Sequence, residues 1–146
     1  MFEEIYDGPK DPSWTWVTTN EPDASILGLL KKLSAEEASR LLPSGQSVAS
    51  HTEHLRWSLA LGNSYLRGEK PQPDWEESWK VTVVDAAQWD RLRADLKAES
   101  DTLRAAVVAH QDWSDPIFFT GTFAMVPHAA YHLGAMRQMA AAAKSV

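Results

Sequence analysis

Two histidines four residues apart, His128 and His132, carry the clearest chemistry in this chain. They stand in Pro127-His128-Ala129-Ala130-Tyr131-His132-Leu133-Gly134-Ala135-Met136-Arg137-Gln138-Met139. On an α-helix that spacing stacks two side chains on one face, within about 6 Å of each other. Two imidazoles so placed can reach one divalent metal ion, but two ligands do not hold it alone. Zinc takes three or four protein ligands, so another part of the chain must bring at least one more. The reading that follows is one divalent metal ion held by His54, His128 and His132, with the remaining position taken by water or a substrate atom. Three protein ligands and an open position mark a catalytic rather than a structural site. An inward histidine also serves as a hydrogen-bonded core residue, so spacing alone leaves both readings standing.

His51 is open between a further ligand, a partner behind the ligands, a substrate contact and a core residue. Glu99 falls inside an apolar stripe, where a charge is costly unless paired. It either orients a ligand imidazole through the other ring nitrogen, or reaches solvent or an Arg. Tyr131, between the two late histidines, reads as core rather than as an acid at the site.

Helices must position these side chains. Ser47 caps a helix running to about Arg67 and ending at Gly68. At about 100° per residue, one arc of it collects Val48, His51, His54, Leu55, Ser58, Leu59, Leu61, Gly62, Tyr65 and Leu66. The opposite arc holds Ser50, Glu53, Arg56, Asn63, Ser64 and Arg67. Asp85 and Gln88 form a capping box for a helix of about 25 residues to His110, with Trp89, Leu92, Leu96, Leu103, Ala106 and Val107 as its stripe. The last helix is capped near Thr120 and runs to about Ala143. Pro127 inside it predicts a kink or a delayed start just before the first histidine. Upstream, Asp23 caps a helix to about Lys32, and Ser34-Ala35-Glu36-Glu37 opens a short segment ending before Pro43.

The first 22 residues carry three prolines and no sustained periodicity. They read as an irregular arm with Trp14 and Trp16 tucked against the body. Residues 68–84 form a long linker, of the kind that is usually functional or mobile, and Lys80–Val84 could make a short extended piece. Trp75 and Trp79 in this linker are candidates to cover an open metal position. The expectation is one all-α domain over residues 1–146, a four-helix bundle with an irregular N-terminal arm. In such bundles metal sites are built from side chains on facing helices.

Composition excludes several other functions. The chain has 146 residues, no cysteine and a formal net charge of −6. Disulfides, zinc-thiolate sites and a cysteine nucleophile are therefore absent. The 14 cationic residues are scattered among 20 acidic ones, which disfavours a nucleic-acid partner. No signal peptide and no apolar run long enough for a bilayer are evident, so a cytoplasmic, membrane-free protein is expected. Seven tryptophans are many for this length and suit either a core or a pocket wall.

The segment Tyr131-His132-Leu133-Gly134-Ala135-Met136-Arg137-Gln138, with His128 before it, resembles the closing signature of the DinB/YfiT-like superfamily of four-helix bundle metalloproteins. Ser47-Val48-Ala49-Ser50-His51-Thr52-Glu53-His54-Leu55 resembles that family's first histidine motif, where the ligand is the histidine before Leu, and so His54 here. Ser78-Trp79 and Trp89-Asp90-Arg91-Leu92-Arg93 are similar to its linker and third helix. The resemblance spans roughly residues 23–143, and Pro127 departs from it.

The resemblance implies a divalent metal, often nickel or zinc, and a homodimer. It also implies activities such as bacillithiol S-transfer, mycothiol-dependent isomerisation or YfiT-type hydrolysis. A chain without cysteine must take any thiolate from a small-molecule cosubstrate, which fits a thiol S-transferase. Metal-bound water would instead give a hydrolase, and a dimeric bundle that only binds metal or ligand is the non-catalytic reading.

Overall fold

Side-chain caps set the starts of most helices in the computed structural model, which describes residues 1–143. Six α-helices and one 3-10 turn follow in order: α1 Phe2–Asp7, α2 Ile26–Lys31, α3 Ala35–Ala38, α4 Val48–Leu66, the turn Glu77–Trp79, α5 Ala86–Ala109 and α6 Pro116–Ala143. No strand occurs among the described residues. Reciprocal capping boxes close the N-termini of α3 (Ser34, Glu37), α4 (Ser47, Ser50) and α5 (Asp85, Gln88). Each satisfies backbone N–H groups that have no partner inside the helix. Gly68, at φ 80, follows the end of α4, where only glycine is free of strain.

Three helices are long, and α4 lies between the other two, packing on both α5 and α6. Leu55 and Leu59 of α4, Trp89, Leu96 and Leu103 of α5, and Leu133 and Met136 of α6 are buried in one core. Full burial of each such side chain stabilises by roughly 1.5–3 kcal/mol. The Trp89 indole also donates to the Leu33 carbonyl at 2.9 Å, which ties α5 to the segment after α2. No described helix is long and apolar enough to cross a membrane.

Several sequence expectations are corrected. The N-terminal arm is not irregular throughout, because residues 2–7 are helical and bury Ile5 and Tyr6 in the core. Six residues are too few to show a helical period. Glu4 is buried as well, and accepts hydrogen bonds from the backbone N–H groups of Trp16, Val17 and Thr18 and from the Thr18 hydroxyl, at 2.7–3.1 Å. Burial pushes its carboxyl up, but these bonds outweigh it and hold the pKa at about 2. Trp14 and Trp16 are not tucked in: they are 65% and 72% exposed.

The next helix is capped by Ser25 rather than Asp23 and is only six residues long. Asp23 has φ 58, and its Cα would lie 2.6 Å from any Cβ at Gly28, so only glycine fits there. Residues 80–84 do not form a strand. Backbone groups there are taken by the side chains of helix caps instead: the Ser47 hydroxyl donates to the Thr82 carbonyl, and the Val84 N–H donates to Ser39 Oγ.

Helix α6 starts four residues before Thr120, because Asp115 Oδ1 accepts from the N–H groups of Ile117 and Phe118. It runs unbroken through Pro127, so there is no delayed start. Pro127 marks a change in surroundings. No residue of α6 before it is buried, whereas Ala129, His132, Leu133, Met136, Met139, Ala140 and Ala143 after it are. That spacing is the one-sided pattern of a helix seated on a core.

Candidate metal centre

His51 and His54 come from the first two turns of α4, and His128 and His132 from adjacent turns of α6. The Nε2 atoms of His54 and His128 are 3.1 Å apart, as are those of His132 and His128. His54, His128 and His132 thus each offer one ligand atom, all within 4.8 Å of one another. A tetrahedral zinc with Zn–N near 2.0–2.1 Å holds its nitrogens about 3.3 Å apart. The cluster is of that size. His54 and His132 are buried and His128 is half-buried.

Hydrogen bonding settles one tautomer. Ser78, in the 3-10 turn, donates its hydroxyl proton to the Trp75 carbonyl at 2.7 Å. Its oxygen is left to accept from His54 Nδ1, 2.8 Å away. A hydroxyl has one proton, so the proton between Ser78 and His54 belongs to the imidazole. His54 is therefore protonated at Nδ1, and its Nε2 lone pair is directed at the cluster. This is the arrangement a metal-ligating histidine needs.

On the other side, His132 Nδ1 is 2.8 Å from His51 Nδ1. His51 is buried, and its Nε2 has no hydrogen-bond partner. It stands behind the cluster rather than in it.

All four imidazoles are held in the neutral, ligating form. Burial lowers the pKa of His51 and of His128. Burial, then the neighbouring His128 and His51, lowers His54 to about 4. Burial, then His128, His51 and His54, lowers His132 to about 3. Closely packed imidazoles of this kind resist protonation because each added charge would be both desolvated and repelled.

Tryptophan walls the site. Trp79 stacks on His54 with ring centroids 4.1 Å apart and 18° between planes, and meets His51 edge-on at 5.2 Å. Trp75 is farther from His54, at 6.1 Å, packs against Trp57 at 4.9 Å, and is half exposed.

Other expected contributors lie elsewhere. Glu99 does not orient an imidazole: it accepts from Asn63 Nδ2 at 2.6 Å. Asn63 and Ser50, expected on the outer arc of α4, are buried, the first by this contact and the second by its capping bonds. Tyr131 is not core but 70% exposed, its ring nearly perpendicular to that of His132 with centroids 5.0 Å apart. His110 bonds the Asp112 carbonyl, away from the cluster.

Ser78 is the residue whose role spacing did not reveal. Its signals were the resemblance of Ser78-Trp79 to the family's linker and its place three residues after Trp75, where its hydroxyl can close on the preceding carbonyl. No protein-family model, curated protein or solved structure matches this chain.

Proposed function

We propose that this chain is a metal-dependent enzyme that holds one divalent ion, zinc or nickel, through His54, His128 and His132 and activates a small-molecule thiol for transfer. The observation that carries the reading is the convergence of three Nε2 atoms from two helices, two of the pairs at 3.1 Å. A single proton cannot satisfy three nitrogens that face one point, whereas one cation can. The depressed histidine pKa values and the Nδ1 proton of His54 fit the same use.

When bound, a divalent ion acts as a Lewis acid that lowers the pKa of a coordinated thiol or water toward neutrality. The chain's own residues do the rest. Ser78 holds the His54 ring, His51 backs the His132 ring, and Trp79 covers one face of His54 against water. The choice of thiol over water is supported by the resemblance of the His128–Gln138 segment to the DinB/YfiT-like signature. The absence of cysteine agrees with it, since the thiol must then be brought in. The same resemblance supports a four-helix bundle in which α1, α2 and α3 stand where a first long helix would.

Elemental analysis of purified protein tests the metal. About one ion per chain is expected in wild type, with a sharp loss in His132→Ala and an unchanged helical circular dichroism spectrum. A His54→Ala/His128→Ala/His132→Ala variant that retains wild-type metal content would overturn the reading. Turnover of electrophilic and ester substrates with and without added thiol separates transferase from hydrolase.

A further inference from the structure

The histidine seam continues into a cavity. His51 meets His132, and His54 meets His128, so α4 and α6 run antiparallel. Following the same register past His54 brings Leu61 opposite Gly121. There a cavity of about 620 Å³ opens, lined by Leu61 and Tyr65 of α4, Leu103 of α5, Phe118 and Met125 of α6, and Trp75. Its volume is in the range of small-molecule sites.

Gly62 and Gly121 stand on its lining. A Cβ at Gly121 would meet nothing within 4 Å, and one at Gly62 would only touch Leu103 and Met125, at 3.4 Å. Larger residues at Gly121 would fill the gap between the helices.

Position ties this cavity to the histidines. Met125 is one turn before His128, about 4.5 Å along the axis, and Leu61 is two turns after His54, about 10 Å. Trp75 belongs to both places, since it lines the cavity and lies 6.1 Å from the His54 ring. The walls are apolar, while the charged groups Glu69, Lys70 and Asp115 are also on its lining. None of the four histidines is on this lining, so a ligand lying here would set an apolar body between α4 and α6 and must extend past Trp75 and Met125 to bring one end to the imidazoles.

We infer that the substrate is an amphipathic small molecule whose aliphatic or aromatic tail occupies this cavity while a soft or anionic donor at its head reaches the histidine cluster. The inference rests on the metal reading above. Each methylene fully buried should tighten binding about threefold to fourfold.

Zinc-loaded wild type is titrated calorimetrically with acetohydroxamate and with octanohydroxamate, which share a metal-binding head and differ in tail. The longer compound should bind about tenfold tighter or more, and Gly121→Leu should bring the ratio to within about twofold. Metal content and sedimentation are measured on the same samples. A wild-type ratio within about twofold, with zinc bound, overturns this inference and leaves the metal reading intact. A ratio that persists in Gly121→Leu places the tail elsewhere and also overturns it. So does a wild-type dimer that Gly121→Leu dissociates without altering the ratio, because a second copy then covers the groove. A wild type that takes up no zinc removes both readings.

Discussion

The Nδ1 atoms of His51 and His132 lie 2.8 Å apart, in a buried contact between the first turn of α4 and the middle of α6. One of them must carry the proton. If His132 gives its Nε2 lone pair to a metal, its own Nδ1 is the donor and His51 Nδ1 the acceptor. His51 then keeps its proton on Nε2, the atom left without a partner. One of the three candidate ligands thus has a histidine behind it, where another, His54, has a serine.

His51→Ala should therefore weaken metal affinity by about 10-fold to 100-fold without abolishing it, the usual cost of losing a group that orients a ligand. Competition with a chromophoric chelator reads the affinity. Nitrogen NMR of the imidazoles should show His132 as the Nδ1–H tautomer in metal-loaded wild type. Finding it as Nε2–H would end this role for His51.

Ser78→Ala removes the acceptor for His54 Nδ1–H and should cost about 10-fold in metal affinity. A buried imidazole N–H left without its partner should also destabilise the metal-free protein by about 1–3 kcal/mol. Urea unfolding measures the second effect. Wild-type values for both would mean that another group holds the His54 ring.

Stacking on His54 makes Trp79, rather than Trp75, the tryptophan that should report on the site. Metal addition should change intrinsic fluorescence in wild type and in Trp75→Phe, and most of that change should vanish in Trp79→Phe. The opposite pattern would put Trp75 over the metal.

Glu4 gives a pH dependence with a definite sign. Its folded-state pKa of about 2 is below the ordinary value of 4.5, so the unfolded chain binds more protons between these two values. Its contribution is complete above about pH 4.5 and is lost as pH falls toward 2. Glu4→Gln should be less stable than wild type at pH 7 by about 1–3 kcal/mol, the scale of hydrogen bonds to a charged group. That gap should narrow steadily below pH 4.5 in urea unfolding. An equal gap at pH 7 and pH 2.5 would separate the carboxylate charge from the stability.

Sequence alone determined what local physics controls. The caps at Ser34, Ser47 and Asp85 were legible because a capping box is closed by residues three apart. The burial of His54 and His132 followed from helical periodicity, since an arc is a property of one helix. Spacing could not bring α4 to α6, nor choose between His51 and His54, which share an inward arc. The resemblance at His54-Leu55 pointed to His54, and the packing of the two helices placed it, by pairing His51 with His132 through Nδ1 and directing His54 Nε2 at His128.

The same limit explains the misses. Asn63 is buried by a bond to Glu99 across thirty-six residues, against the polarity of its own arc. The helix at Phe2–Asp7 is too short to show a period and is held by Glu4 receiving the backbone of residues 16–18. Ser78 acquires its role only when the linker folds back onto α4. Contacts between residues distant in the chain leave no periodic trace, so tertiary structure alone decided them.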